Sequence, residues 1–154
     1  MKSKFFRITA AGLFLVLGFC AHPAHAQTAA RLEALLKTTE ITWEQAASFV
    51  LEAADVKPAG SSAFSYAADQ KWLPKGAVAA DKARLKGVAL LLMRSFNLKG
   101  GLFFKMSKSP HHAYRELNYK RIIRGDTDPD MTVSGPDLLL MINRILSIKE
   151  KNNA

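Results

Sequence analysis

Two stretches of this chain punctuate alike, and that correspondence limits what the chain can fold into. Lys71-Trp72-Leu73-Pro74-Lys75-Gly76 and Lys120-Arg121-Ile122-Ile123-Arg124-Gly125 lie 49 residues apart. Each closes a helical segment in a glycine turn, and each is followed by a loop and a second, more apolar helix. Helix pairs of this size bury their apolar faces against neighbouring pairs. A chance likeness between two helical hairpins is the alternative. Residues 27–154 show no sustained strand alternation. The expected fold is all-α, a small helical bundle built from divergent helix-turn-helix repeats, after a cleaved signal peptide.

Helical spacing and helix punctuation place the segments. Ala29 to Lys37 carries Leu32, Leu35 and Leu36 on one side, with Thr28 as cap. Thr42-Trp43-Glu44-Gln45 matches a capping box. It opens a helix over 41–56 with Trp43, Ala46, Ala47, Val50 and Ala54 inward, stopped by Pro58 and Gly60. A helix over about 62–73 is closed by Pro74 and Gly76. The next, about 82–98, has an apolar stripe broad enough for burial on more than one side. Residues 99–108 read as a loop. Ser109-Pro110 then starts a helix to about 123, and the last helix covers about 135–149. The result is one domain, 27–154, with a partial unit at about 28–57 and full units at about 62–99 and 109–149.

The first 26 residues read as an address rather than structure. Lys2, Lys4 and Arg7 precede an apolar run from Ile8 to Cys20, Pro23 breaks it, and Ala24-His25-Ala26 offers a cleavage site. The run is shorter than the roughly 20 residues a membrane span needs. The bulky Phe19 before Cys20 disfavours lipid attachment there. The expected location is outside the cytoplasmic membrane, in the periplasm or cell envelope. Cys20 is the only cysteine, so neither a disulfide framework nor a cysteine-built zinc site belongs to the folded chain.

The order helix, glycine turn, loop, polar cap, apolar helix resembles S-layer homology modules of exported bacterial proteins. Tyr114 to Gly125 is similar to their first helix and turn, and Thr132 to Leu146 to their second helix. The resemblance spans about 41–148. It implies helical-repeat architecture and attachment to an envelope polysaccharide. Those modules open the second helix with a Thr-Arg pair, of which Ala83-Arg84 and Thr132-Val133 each keep half.

A second resemblance is local. Residues 125–138 are similar to the EF-hand-like calcium loop of a dockerin. Counting from Asp126, side-chain oxygens fall at positions 3 (Asp128), 5 (Asp130), 9 (Ser134) and 12 (Asp137), with the Thr132 carbonyl at 7. That spacing wraps oxygens round one calcium ion, so the loop implies one calcium site and a calcium-stabilised protein-interaction domain. Met131 stands where such loops need glycine. The competing reading is a helix cap at Ser134 and Asp137 behind an ordinary turn.

Charge is segregated. The chain has 22 basic and 13 acidic residues, a net charge of +9. From Lys71 to Arg124 there are 13 basic residues against Asp81 and Glu116 alone. The stretch Lys99 to Lys108 interleaves Leu102, Phe103, Phe104 and Met106 with Lys99, Lys105 and Lys108. These lysines and phenylalanines, with Arg121 and Arg124, are the candidate binding residues. They suit an envelope polymer, an anionic membrane surface or another envelope protein. An exported chain rarely meets nucleic acid. The competing reading is a solvated basic surface with both phenylalanines anchored inward.

No catalytic pattern emerges. Adjacent His111 and His112 point about 100° apart on a helix, so they do not share one ligand. Residues 27–154 hold no cysteine nucleophile, nucleophile elbow, phosphate-binding glycine loop or zinc-spaced histidine pair. The expected function is a non-enzymatic binding or scaffolding module.

Overall fold

A computed structural model describes residues 23–153. They form seven helices: α1 (Pro23–Leu36), α2 (Trp43–Ala53), α3 (Ala63–Asp69), α4 (Leu85–Ser95), α5 (Leu102–Ser107), α6 (Pro110–Tyr119) and α7 (Gly135–Asn153). Among the described residues there are two isolated bridge pairs and no strand. The class is all-α. Of the leader expected over residues 1–26, residues 1–22 with Cys20 lie outside the described residues, and Pro23 to Ala26 form the first turn of α1.

Helix starts follow local chemistry. The Thr42 hydroxyl accepts the Gln45 amide at 3.3 Å, while the Gln45 side-chain oxygen accepts the Thr42 amide at 3.0 Å. Ser62 caps α3 and Ser109 caps α6 ahead of Pro110. The Ser134 hydroxyl accepts the Asp137 amide at 3.2 Å at the head of α7. Each cap of this kind contributes about 1 kcal/mol.

Helix ends depart from the expected ones for a single reason. α3, α4 and α6 stop at Asp69, Ser95 and Tyr119, short of the glycines that follow. The closing residues are Lys71, Asn97 and Arg121, all left-handed, as is Asp55 after α2. The apolar residue behind each donates its amide into the last turn: Val56 to Leu51, Trp72 to Ala67, Leu98 to Met93 and Ile122 to Leu117. This paired closure satisfies orphan carbonyls and packs an apolar side chain on the core, half-buried for Val56, Trp72 and Leu98 and buried for Ile122. That offsets the roughly 1–2 kcal/mol of a left-handed side-chain residue. Gly76 and Gly125 then serve the following turns, at φ +77° and +90°.

Residues 102–107, expected as loop, are the short helix α5. The Glu116 carboxylate accepts the Gly101 amide at 2.9 Å, and left-handed Lys108 ends the turn.

The centre of the molecule is a closed cycle of backbone hydrogen bonds. Ile41 donates to the Val133 carbonyl (2.9 Å), Val133 to Ala83 (3.1 Å) and Ala83 to Ile41 (2.8 Å). All three residues are buried, and they stand immediately before the caps of α2, α4 and α7. The first amides of each helix find carbonyls in another segment, which satisfies donors that a helix start leaves open. Trp43 and Glu44 donate to Asp81 and Ala79, Leu85 and Lys86 to Met131 and Pro129, and Gly135 to Thr38. Pro136 has no amide to give, so α7 makes one such bond. Helix packing follows the same cycle, with α3 on α2, α6 on α4 and α1 on α7. One apolar cluster fills the interior. In this register Val133-Ser134 stands opposite Ile41-Thr42 and Ala83-Arg84, one residue beyond the Thr132-Val133 match expected from the sequence.

Candidate functional site

On α5, Leu102, Phe103 and Met106 fall within one helical face. They are 68%, 73% and 78% exposed. Phe104 points the other way and is buried, so it leaves the set of surface-binding candidates and becomes a core anchor. The Phe103 ring lies nearly parallel to His112, with centroids 6.1 Å apart. Lys99, Lys105 and Lys108 are exposed beside this apolar face. Leaving a large apolar side chain in water forgoes about 1.5–3 kcal/mol of burial.

Behind α5, Lys99, Lys105 and Lys108 join three basic residues outside the sequence candidates, Arg94, Lys71 and Lys75. Arg94, in the last turn of α4, borders two clefts together with Lys108. Lys99 and Lys105 line the first with Trp72 and Phe104, and Lys71 and Lys75 line the second with Ser107 and Ser109. The Arg94 Nε is buried and has no hydrogen-bond partner. A buried donor left unpaired costs about 1–3 kcal/mol. Among the described residues, every ion pair involves other cations, so none of these six is neutralised by an acid. The signal was present: a lone arginine interrupts the apolar run from Leu90 to Phe96.

Arg121 and Arg124 are not part of this face. Arg121 closes α6, its carbonyl accepting the Arg124 Nε at 3.2 Å. Arg124 lines a small separate cleft with Leu85, Met131, Asp137 and Arg144.

Four of the six candidate calcium ligands, Asp128, Asp130, Ser134 and Asp137, hold other partners through their side-chain oxygens. Asp130 pairs with Lys86 at 2.5 Å, and its carbonyl accepts an Arg84 hydrogen bond at 2.9 Å. The Lys86 hydrogen bond, with the positive charges of Lys86 and Arg84, holds the Asp130 carboxyl below its ordinary pKa against a smaller opposing effect of burial. Asp128 accepts the Asp130 amide at 2.8 Å, an ordinary turn bond. The Thr132 hydroxyl donates to Glu40 at 2.9 Å. Ser134 donates to Asp137 at 2.6 Å within the α7 cap. Asp126 is exposed. Among the described residues, no group of three or more His, Cys, Asp or Glu side chains is placed to hold a metal ion. Binding calcium would require breaking the Lys86 pair and the α7 cap together. Millimolar calcium or a chelator is therefore expected to leave the thermal midpoint unchanged. A calcium-dependent rise that Asp126→Ala removes would restore the ion to this loop.

His112 belongs to the α6 cap. Its Nδ1 lies 2.6 Å from the Ser107 hydroxyl and 3.0 Å from the Ser109 hydroxyl, and its amide donates to Ser109. Among the described residues no carboxylate orients the ring, the third element that a nucleophile–base pair uses.

No helix of the described residues is long and apolar enough to cross a membrane. Compared with family models, curated proteins and solved structures, the chain matches none.

Proposed function

We propose that the chain is an exported, non-enzymatic helical-repeat module of the bacterial envelope, S-layer-homology-like in architecture, which docks on an anionic membrane surface through α5. The cyclic meeting of Ile41, Ala83 and Val133 supports three units, α1–α2, α3–α4 and α6–α7. The leader pattern supports export. The docking rests on one observation: Leu102, Phe103 and Met106 stand in water beside Lys99, Lys105 and Lys108, which have no acidic partner.

Magnitudes favour a reversible contact. Each lysine near an anionic surface contributes about 1 kcal/mol. Half-burial of the three apolar side chains adds a similar total. Together they amount to about 6 kcal/mol, a dissociation constant on the order of tens of micromolar. Neither half would hold alone. In vesicle co-sedimentation, anionic lipid should retain the protein and neutral lipid should not. Retention should fall steeply as salt shortens the Debye length from about 10 Å at 0.1 M to about 3 Å at 1 M. Phe103→Ser is expected to weaken retention about tenfold, the loss of one aromatic half-buried in the lipid surface. Equal retention on neutral vesicles, or an unchanged Phe103→Ser, would remove α5 from the function.

A further inference from the structure

We infer that the cleft between the α3–α4 connection and the start of α6 is an oxyanion site centred on Arg94, and that it takes a phosphate group. The site is separate from the apolar face of α5 and does not rest on the docking reading. Its centre is the buried Arg94 Nε, a donor with no acceptor. Buried donors are nearly always paired in folded proteins, so an unpaired one on a side chain that lines a cleft points to a missing acceptor. Nε and a terminal nitrogen form one of the guanidinium edges that grip two oxygens of one anion, which a lysine cannot imitate.

The surroundings favour the same charge. Lys71, Lys75 and Lys108 line the cleft, and no aspartate or glutamate does. Lys71 and Lys108 sit on the left-handed residues that close α3 and α5, so turns fixed by the fold carry both to its edge. Ser107 and Ser109 line its edge beside the first turn of α6, with their hydroxyls held by His112. A dianion with several acceptor oxygens uses more of these donors than a single carboxylate does. A lipid headgroup and free phosphate offer the same group.

The test is thermal unfolding of the full chain at constant ionic strength, with inorganic phosphate replacing chloride. Phosphate at tenfold excess over its dissociation constant should raise the midpoint by about 5 °C. Arg94→Met keeps the side-chain bulk and removes the orphan donor. It should unfold no lower than wild type without phosphate and lose the phosphate response. Lys71→Gln with Lys108→Gln changes only exposed residues and should also blunt the response. Phe103→Ser should keep the full response, which separates this site from the α5 face. No phosphate effect on wild type, or an equal effect on Arg94→Met and the double lysine variant, would overturn the assignment. Phosphatidylglycerol vesicles then identify the source. Free phosphate that weakens vesicle binding of wild type, but not of Arg94→Met, places a lipid headgroup in the cleft. Vesicle binding that phosphate leaves intact places a soluble phosphate there.

Discussion

Gly135→Ala is expected to destabilise the protein by about 3 kcal/mol or more, lowering the thermal midpoint by roughly 10 °C. A methyl group on Gly135 would lie 1.8 Å from the Leu35 carbonyl oxygen and 2.7 Å from its carbon. That obstacle is backbone at the end of α1, which no rotamer change removes. The Gly135 amide donates to the Thr38 carbonyl at 2.9 Å in the same place, so relief by separation breaks a buried hydrogen bond. Alanine's better helix propensity, about 1 kcal/mol, opposes the loss but is smaller. Gly101→Ala is the control, since its methyl meets only a side-chain atom, the Glu116 carboxylate oxygen at 3.2 Å. Chemical denaturation of both variants measures the difference. A Gly135→Ala midpoint equal to that of the control would mean that α1 does not seal against α7.

Trp43→Ala should cost about 3–5 kcal/mol, the usual loss for a large aromatic removed from a core. Trp43 heads α2 and is buried. Its ring edge lies over Gly87 of α4, where an added methyl would come within 2.4 Å of the Trp43 Cη2 and 2.6 Å of the Pro74 Cγ. The indole thus needs glycine opposite it. Gly87→Ala should cost about 1–3 kcal/mol on its own through overpacking. In a Trp43→Phe background, where the outer ring is gone, the same change should cost less. A coupling of at least about 0.5 kcal/mol in this double-mutant cycle would register the contact. Strict additivity would deny it.

Much of the helical content was legible because its causes are local. The Thr42–Gln45 capping box and the Ser109-Pro110 start need only residues a turn apart, and both form as the sequence implies. Helix ends were less legible. Asp55, Lys71, Asn97 and Arg121 adopt left-handed backbone without being glycine, and the visible glycines belong to later turns. α5 was hidden because its start uses a carboxylate from Glu116, on another helix. The paired phenylalanines could not be separated by composition. A helix turns them apart, and only knowing that residues 102–107 are helical puts Phe104 inside and Phe103 outside. The acidic loop matched a ligand spacing. The Asp130 and Asp137 carboxylates meet Lys86 and Ser134, and Lys86 lies far off in the chain.

By itself the sequence determined the all-α class, the capped helix starts and the concentration of positive charge between Lys71 and Arg124. Short-range hydrogen bonding and apolar periodicity set the first two, and composition sets the third. The tertiary structure alone decided that Ile41, Ala83 and Val133 meet in one hydrogen-bonded cycle and that α1 closes on α7. It also decided that Arg94 ends in a basic cleft with its Nε unpaired. These depend on residues from separate segments of the chain reaching the same place. Chain closure and backbone satisfaction across the whole core govern that meeting, and no local pattern carries it.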